Sequence, residues 1–298
     1  MKKTLLITGG SGLVGTYLTQ LALAKNYEVR WLGRSINHSN PQIKSFVWDI
    51  EKQYIDQKAF DEVDYVVHLA GAGVAEKSWT KQRKTEILES RTKSTALLAK
   101  YLIQTNVKKV ISASAIGFYG MDTGNHWVDE NSQAGTDFLA EVTKSWEDEA
   151  NKISVPLMKI RIGVVLSNKG GALVKLAEPV KWCVGAGLGT GEQYISWIHI
   201  EDMCQLILFG LENENLTGTF NAVAPNPLTN VEITKAIAKK IQKPLILPNV
   251  PAFVLKIMLG EMAGIVLGGN KVSAKKVIEA GFKFQYDTIE KALINLNI

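Results

Sequence analysis

Three glycines near the start of the chain constrain the fold more than any other feature. Thr4–Thr8 has the apolar pattern of a buried strand, and Leu13–Lys25 places its apolar residues on one helix face. Between them, Gly9, Gly12 and Gly15 recur at every third position. There they permit a sharp turn, close approach of a diphosphate to the backbone, and tight packing of helix on strand. The spacing predicts a dinucleotide site at the helix N-terminus, and the alternative is an ordinary strand-to-helix turn.

The rest of the first half alternates strand and helix patterns. Further strands are predicted at Glu28–Leu32, Ser45–Trp48, Asp64–Leu69, Val107–Ala113, Leu157–Leu166 and Gly218–Val223, with helices at Thr85–Leu102 and Phe138–Lys152. Strands separated by helices need right-handed crossovers, so we expect an α/β fold with a Rossmann-type doubly wound parallel sheet. We predict a nucleotide-binding domain over 1–224, with a lid insertion at about 169–200. A smaller, mostly helical substrate or lid region is expected over 225–298.

Composition narrows the class of protein. The 298 residues are 46% hydrophobic and 21% charged, which is typical of a folded globular chain. Two cysteines, Cys183 and Cys204, exclude a disulfide framework. The most apolar late stretch, Phe253–Leu267, contains two charges and is too short to span a bilayer. With no signal-peptide pattern at the N-terminus, we expect a cytoplasmic protein with no membrane partner.

The net charge of +5 does not by itself indicate a nucleic-acid partner. The lysines are scattered, and the densest run, Lys235–Lys243, has the spacing of a solvated helix face. The four histidines share no metal-ligand spacing, so no metal is predicted. They are His38, His68, His126 and His199.

The end of the second predicted strand indicates which cofactor is preferred. The strand is followed by Arg34 and Ser35, without the acid that would bind the ribose hydroxyl of NAD. An arginine can bind a 2′-phosphate through charged hydrogen bonds worth roughly 1.5–3 kcal/mol, about one to two decades of preference for NADP(H) over NAD(H). The alternative is a surface arginine. Asp49, at the end of the third strand, can contact adenine or cap the residues that follow it.

Several further motifs carry a family resemblance. They are Thr8–Gly15, His68–Gly73, Glu89–Arg91, Ser112–Ala115 with Tyr119 and Gly120, Arg161–Val165, Trp197–Ile200 with Asp202, and Asn221–Pro225. With these, the chain resembles the extended short-chain dehydrogenase/reductases of the NAD-dependent epimerase/dehydratase group. It is most similar to an atypical, epimerase-like branch with a small C-terminal domain of unknown function.

The resemblance extends the predicted cofactor site beyond the glycine turn. It implies that residues 69–71 line the ribose and diphosphate, and that Ser112, Arg161 and Val164 lie near the nicotinamide. The complete predicted set is Gly9, Ser11, Gly12, Leu13, Val14, Gly15, Arg34, Ser35, Asp49, Leu69, Ala70, Gly71, Arg91, Ser112, Arg161 and Val164.

The chain departs from the family where proton transfer is expected. Typical members use a serine, a tyrosine and a lysine, the last two as Tyr-x-x-x-Lys. The only such spacing here, Tyr54 to Lys58, falls outside the expected helix. Alignment on Ser114 places Leu139 at the tyrosine position and Thr143 at the lysine position. Neither can act as the general acid or base, a role that typically raises the rate about 10²–10⁴-fold.

Candidate substitutes remain in the same part of the sequence. Ser114 and Tyr119 are the predicted catalytic residues, although Tyr119 can instead pack at the pocket rim. His199 can touch substrate or be structural, and Asp202 is expected to cap a helix that begins near Met203. The aromatic residues Trp182, Tyr194 and Trp197, near a glycine-rich segment, fit either a substrate lid or packing between lobes.

These observations leave three functions. The first is an NADP(H)-binding oxidoreductase or epimerase-like enzyme that acts on an unknown small molecule without Tyr-x-x-x-Lys. The second is a non-catalytic NADP-binding sensor or regulator, and the weakest is a sugar-nucleotide epimerase. The resemblance also implies a homodimer formed through the two long helices.

Overall fold

A computed structural model describes residues 2–36 and 40–298. Within them, eight strands form the main sheet: β1 (Thr4–Thr8), β2 (Glu28–Gly33), β3 (Ile43–Asp49), β4 (Tyr54–Ile55), β5 (Tyr65–His68), β6 (Lys109–Ala115), β7 (Leu157–Ile162) and β8 (Gly218–Ala222). Their spatial order is β8-β7-β6-β5-β1-β2-β3-β4, and only β4 runs antiparallel to its neighbour. The predicted Rossmann-type parallel sheet is confirmed.

Helices cover the sheet and form much of the C-terminal part. They are α1 (Leu13–Ala24), α2 (Lys81–Leu102), α3 (Phe138–Ala150), α4 (Ala172–Lys181), α5 (Ile200–Glu212), α6 (Asn230–Lys240), α7 (Ala252–Leu259), α8 (Ala263–Leu267), α9 (Lys275–Glu279) and α10 (Ile289–Asn295). Helix α2 begins four residues before the predicted start, because the Thr80 hydroxyl accepts the N–H of Arg83 at 3.1 Å and caps it. In the part of the chain that the structure describes, none of the helices combines the length and the apolar composition that a membrane span requires.

The long strand predicted over 157–166 is interrupted at Gly163. The N–H of Gly163 donates to Ala222 in β8, but the next N–H, of Val164, donates to Ser196. From Val164 to Ser167 the chain therefore leaves the main sheet and pairs with Trp197–His199. A side chain at Gly163 would collide with the Ser196 carbonyl, so the crossing needs glycine. β-branched residues stand on both sides of Gly163, so the sequence pattern fits one uninterrupted strand and does not reveal the break.

The C-terminal part, residues 225–298, shares its core with the main sheet. One buried cluster contains Leu5 and Ile7 of β1 together with Leu293 and Leu296 near the C-terminus. The aromatic residues of the glycine-rich region do not form a single lid: Trp197 is fully buried, whereas Trp182 is 76% exposed.

The prediction for Asp202 is wrong. Helix α5 is capped by His199, whose Nδ1 accepts the N–H of Glu201 at 3.1 Å. Asp202 is buried and accepts the N–H groups of Gln285 and Tyr286, both at 2.9 Å. Its carboxylate therefore holds the C-terminal segment against α5. The partners lie more than eighty positions away, so local spacing could not identify them.

A buried ion pair joins α3 to the sheet. Glu147 in α3 receives two hydrogen bonds from Arg161 in β7, at 2.8 and 3.0 Å, and one from the Ser114 hydroxyl at 2.6 Å. Both charged side chains are nearly inaccessible to solvent. Burial alone would raise the pKa of Glu147, but the hydrogen bonds from Arg161 and Ser114 outweigh burial and lower it. The carboxylate is therefore ionised at neutral pH and held in place.

Glu147→Gln is expected to lower the free energy of unfolding by about 3–5 kcal/mol, because Arg161 would be left buried without its counter-charge. Glu149→Gln, on the same helix, removes only an exposed pair with Lys152 and should cost about 1 kcal/mol or less. Urea denaturation of both variants measures these values.

The pH dependence provides a second measurement on the same pair. Because the folded-state pKa of Glu147 is lowered, its contribution is fully present above the ordinary glutamate pKa of about 4.3 and is lost as the pH falls further. The difference between wild type and Glu147→Gln should therefore shrink below pH ~4. Equal destabilisation by both substitutions at neutral pH would contradict this role for the buried pair.

Candidate functional site

The strand order reverses direction beside β1. The chain passes from β1 to β2 and β3 on one side, and β5 then begins the opposite side of the sheet. In doubly wound sheets, ligands bind outside the carboxyl ends of the strands at such a reversal. The carboxyl ends of β1 and β5 therefore define the candidate site.

The glycine turn lies at this position. Gly9 has a φ of +69°, and a Cβ there would lie 2.9 Å from the carbonyl carbon of Leu69. A Cβ at Gly15 would collide with the Gly9 carbonyl oxygen. Both positions therefore need glycine, one for backbone conformation and one for the close packing of α1 on the turn.

The N-terminus of α1 is open to an anion. Gly12 is its N-cap and provides no side-chain cap, and the first turn contains no acidic residue. The first N–H groups of a helix have no partner within it and carry the positive end of the helix dipole. An opening of about 310 Å³ lies beside this turn; its walls are Ser11, Gly12, Leu13, Thr16 and Tyr17 on one side and Ser167, Lys169, Gly170 and Gly171 on the other. These features fit a dinucleotide diphosphate.

A buried histidine fastens β5 to β1. The Thr95 hydroxyl donates to the Arg91 carbonyl, so it accepts the hydrogen bond from Nε2 of His68 at 2.9 Å. Nδ1 of His68 then accepts from the Thr8 hydroxyl at 2.7 Å. Thr8 in turn accepts the N–H groups of Leu69 and Ala70, which fixes the end of β5. Burial lowers the pKa of His68 to about 4, so the ring stays neutral.

Two arginines near the reversal form no ion pair with another described residue. Arg34 and Ser35 are exposed after β2. Arg91 is partly buried beside Gly71, and its guanidinium lies 5.1 Å from the ring of Trp146. Burial, and then the charge of Arg83, lower the pKa of Arg91 to about 10, which still leaves it charged at neutral pH. A desolvated cation without a counter-charge is costly, and an anionic ligand would offset that cost.

Asp49 already has partners of its own. Its carboxylate accepts the N–H of Lys52 at 3.1 Å and lies 3.3 Å from the ammonium of Lys52. The hydrogen bond from the Lys52 backbone is the main reason that the pKa of Asp49 is lowered. Its observed contacts are thus those of a residue that stabilises the turn after β3.

Of the residues that the resemblance places near the nicotinamide, Ser112 and Arg161 are buried and Val164 is partly buried. Val164 is partly buried at the start of its strand, beyond Gly163. The Ser112 hydroxyl is buried and donates only to the carbonyl of Ala113, at 3.3 Å. Arg161 has its charge engaged by Glu147, and its guanidinium lies 3.4 Å from the ring of Phe118.

Both predicted catalytic hydroxyls are buried and engaged. Ser114 donates to Glu147, and Tyr119 donates to Asn221 at 2.7 Å while it accepts from Arg161 at 3.1 Å. Burial raises the pKa of Tyr119 to about 12. A tyrosine with this pKa is almost entirely un-ionised at neutral pH, so little tyrosinate is present to act as a general base.

The positions aligned with the family's tyrosine and lysine face the end of β6. A Cβ on Gly117 would lie 3.4 Å from Leu139 and 3.5 Å from Thr143. The Thr143 hydroxyl donates back to the Leu139 carbonyl. Tyr54, of the chance Tyr-x-x-x-Lys match, lies in β4 at the far edge of the sheet.

Several residues of the site were not predicted. Thr8, Thr95 and Trp146 support the strand ends, and of these only Thr8 belongs to one of the family motifs. Lys169 comes from the hairpin after Ser167, which the sequence placed only within a lid. In the part of the chain that the structure describes, no cluster of histidine, cysteine or acidic residues is arranged to hold a metal ion; His38 lies outside that part.

Comparison with known proteins identifies the same family as the sequence motifs. Residues 5–141 match the NAD dependent epimerase/dehydratase family, and residues 250–296 match a domain of unknown function, DUF1731. The epimerase family protein YfhF of Bacillus subtilis is 33% identical over 296 residues, 97% of this chain and 96% of its own length.

Two further relatives extend the comparison. The chloroplastic SDR39U1 homologue of Arabidopsis thaliana is 36% identical over 300 residues, 97% of this chain and 85% of its own. The crystal structure of human SDR39U1 (isoform 2) with NADPH superimposes with a TM-score of 0.87 at 26% identity, covering 98% of both chains. This chain therefore belongs to the NAD-dependent epimerase/dehydratase family, in the group that carries the DUF1731 domain at its C-terminal end.

Proposed function

We propose that this protein binds NADP(H) and acts as an oxidoreductase on a small molecule. The observation that carries the proposal is the open N-terminus of α1 behind the Gly9–Gly15 turn, at the reversal of the strand order. The human relative with the same architecture was crystallised with NADPH. Residues 69–71 and the helix N–H groups would hold the ribose and diphosphate.

Preference for NADP(H) is supported by charge at the end of β2. Arg34 is exposed there without an ion-pair partner among the described residues, and Ser35 adds a hydroxyl. No acidic residue occupies the two positions after β2, and Glu86, whose charge interacts with Arg34, forms its ion pair with Arg83 instead. A guanidinium and a phosphate can form two parallel hydrogen bonds.

A bound nicotinamide would supply or accept a hydride. The protein's own groups offer little for the accompanying proton, because Ser114 and Tyr119 are committed to Glu147 and Asn221. Their buried network instead keeps β6, β7 and α3 in register around the nicotinamide end of the site. An epimerase cycle that depends on a tyrosinate is therefore the weaker proposal.

The engagement of Ser114 and Tyr119 by other side chains also favours a second candidate, a non-catalytic sensor of the NADP(H) redox state. A protein of this kind needs the binding site and no proton relay. It would adopt different conformations with NADPH and NADP⁺, which amide hydrogen exchange can detect.

We retain two other proposals from the sequence. One is a homodimer through α2 and α3. The other is a cytoplasmic location, although the name of the Arabidopsis relative places that protein in the chloroplast.

Calorimetric titration tests the cofactor preference. We expect NADPH to bind at least tenfold tighter than NADH, because Arg34 pairs with the 2′-phosphate. Arg34→Met should remove the preference by weakening NADPH alone, whereas Lys25→Met, at the opposite end of α1, should change neither affinity. Equal affinity of the wild type for both nucleotides would show that Arg34 does not contact the 2′-phosphate.

A deuterium-transfer assay tests the oxidoreductase proposal. NADPH labelled at C4, in either stereochemical form, is incubated with a panel of carbonyl compounds and UDP-sugars. We expect deuterium in a reduced carbonyl product, with Tyr119→Phe slowing transfer by less than about tenfold, against 10²–10⁴-fold for loss of a general acid. No transfer to any compound, together with different hydrogen exchange in NADPH and NADP⁺, would instead identify a sensor. Epimerisation of a UDP-sugar would contradict both the oxidoreductase proposal and the sensor proposal.

A further inference from the structure

A short hairpin beyond the main sheet reaches the N-terminus of α1. Ser167 pairs with Gly170, which leaves Asn168 and Lys169 at the tip. Asn168 donates its side-chain N–H to the carbonyl of Leu296 at 2.8 Å, and the N–H of Lys169 donates to the Ser167 hydroxyl at 3.2 Å. Asn168 therefore anchors the tip to the last helix, whereas the side chain of Lys169 is exposed to solvent.

Two glycines follow the tip and give the hairpin its backbone conformation. Gly170 and Gly171 have φ angles of +150° and +79°, which disfavour other residues. A Cβ on Gly171 would already lie 3.4 Å from the side chain of Leu13. Lys169 thus lines the same opening as Ser11 and the other residues of the glycine turn.

Lys169 is an exposed cation that forms no ion pair with the rest of the described chain. Residues 8–15 contain no basic side chain, and the two unpaired arginines lie after β2 and within α2. A helix N-terminus supplies only about half a positive charge, whereas a dinucleotide diphosphate carries two negative ones. Lys169 is the one basic residue among the described residues that line the opening, and its charge would compensate the part of a diphosphate's charge that the helix N-terminus does not.

We propose that Lys169 binds the diphosphate of the dinucleotide from the lid side, opposite the N-terminus of α1. The proposal rests on the proposed NADP(H)-binding function. It assigns to the hairpin a direct part in nucleotide binding and makes the anchor between Asn168 and Leu296 a positioning contact for Lys169.

The test compares Lys169→Met with Lys181→Met, an exposed lysine at the end of the following helix. Calorimetry with NADPH and NADH should show that Lys169→Met weakens both by a similar factor of about five, as for one exposed charge contact. The ratio of the two affinities should not change, in contrast to the effect of Arg34→Met. Lys169→Arg should bind like the wild type, and Lys181→Met should be silent.

Salt provides a second readout. In 1 M NaCl, where charges are screened beyond about 3 Å, the difference between wild type and Lys169→Met should shrink. Wild-type affinity in Lys169→Met for both nucleotides would overturn the assignment while leaving the proposed function intact. A loss confined to NADPH would also overturn it, since it would place Lys169 at the 2′-phosphate. Failure of the wild type to bind either nucleotide would refute both the assignment and the proposed function.

Discussion

The close contact between the glycine turn and the end of β5 sets the position of the helix N-terminus and of residues 69–71, which a dinucleotide diphosphate would touch. Gly9 lies against the Leu69 carbonyl, and Gly15 lets α1 begin directly behind the turn. The hydrogen bonds of Thr8 and His68 join the carboxyl ends of β1 and β5 to each other. Because these contacts are short and buried, the helix N-terminus is fixed before any ligand arrives, and binding need not spend free energy on ordering it.

A second buried arrangement contains Ser114, the residue at the serine position of the family pattern. Glu147 and Arg161 form a desolvated pair that also binds the Ser114 hydroxyl, and Arg161 reaches Tyr119. Such a pair gives a fixed geometry, and its groups are poorly suited to exchange protons with a substrate. The proposed nucleotide site and the buried network thus have different roles: the first is open to solvent and electropositive, while the second is closed and its charged groups are bonded to one another.

The sequence predicted those parts of the fold that depend on local pattern. The parallel strands, the glycine turn and the absence of an acid after β2 all follow from neighbouring residues. The break at Gly163, the partners of Asp202 and the approach of Lys169 to α1 depend on contacts between distant segments. Ser114 was predicted from its position in the family pattern, but its hydrogen bond to Glu147 requires the packing of α3 on β6. Periodicity can identify a strand or helix, but it cannot show which buried polar groups meet across it.

Hydrogen–deuterium exchange with and without NADPH tests the central claim most directly. The first N–H groups of α1 have no partner within the helix, so we expect them to exchange quickly in the free protein. A ligand that accepts hydrogen bonds from them would slow this exchange. We expect NADPH to slow exchange in peptides that cover residues 11–15 and 69–71, and to leave the edge strand β4 unchanged. Saturating NADPH that leaves residues 11–15 unprotected while protecting another surface would contradict the assignment of this turn as the nucleotide site.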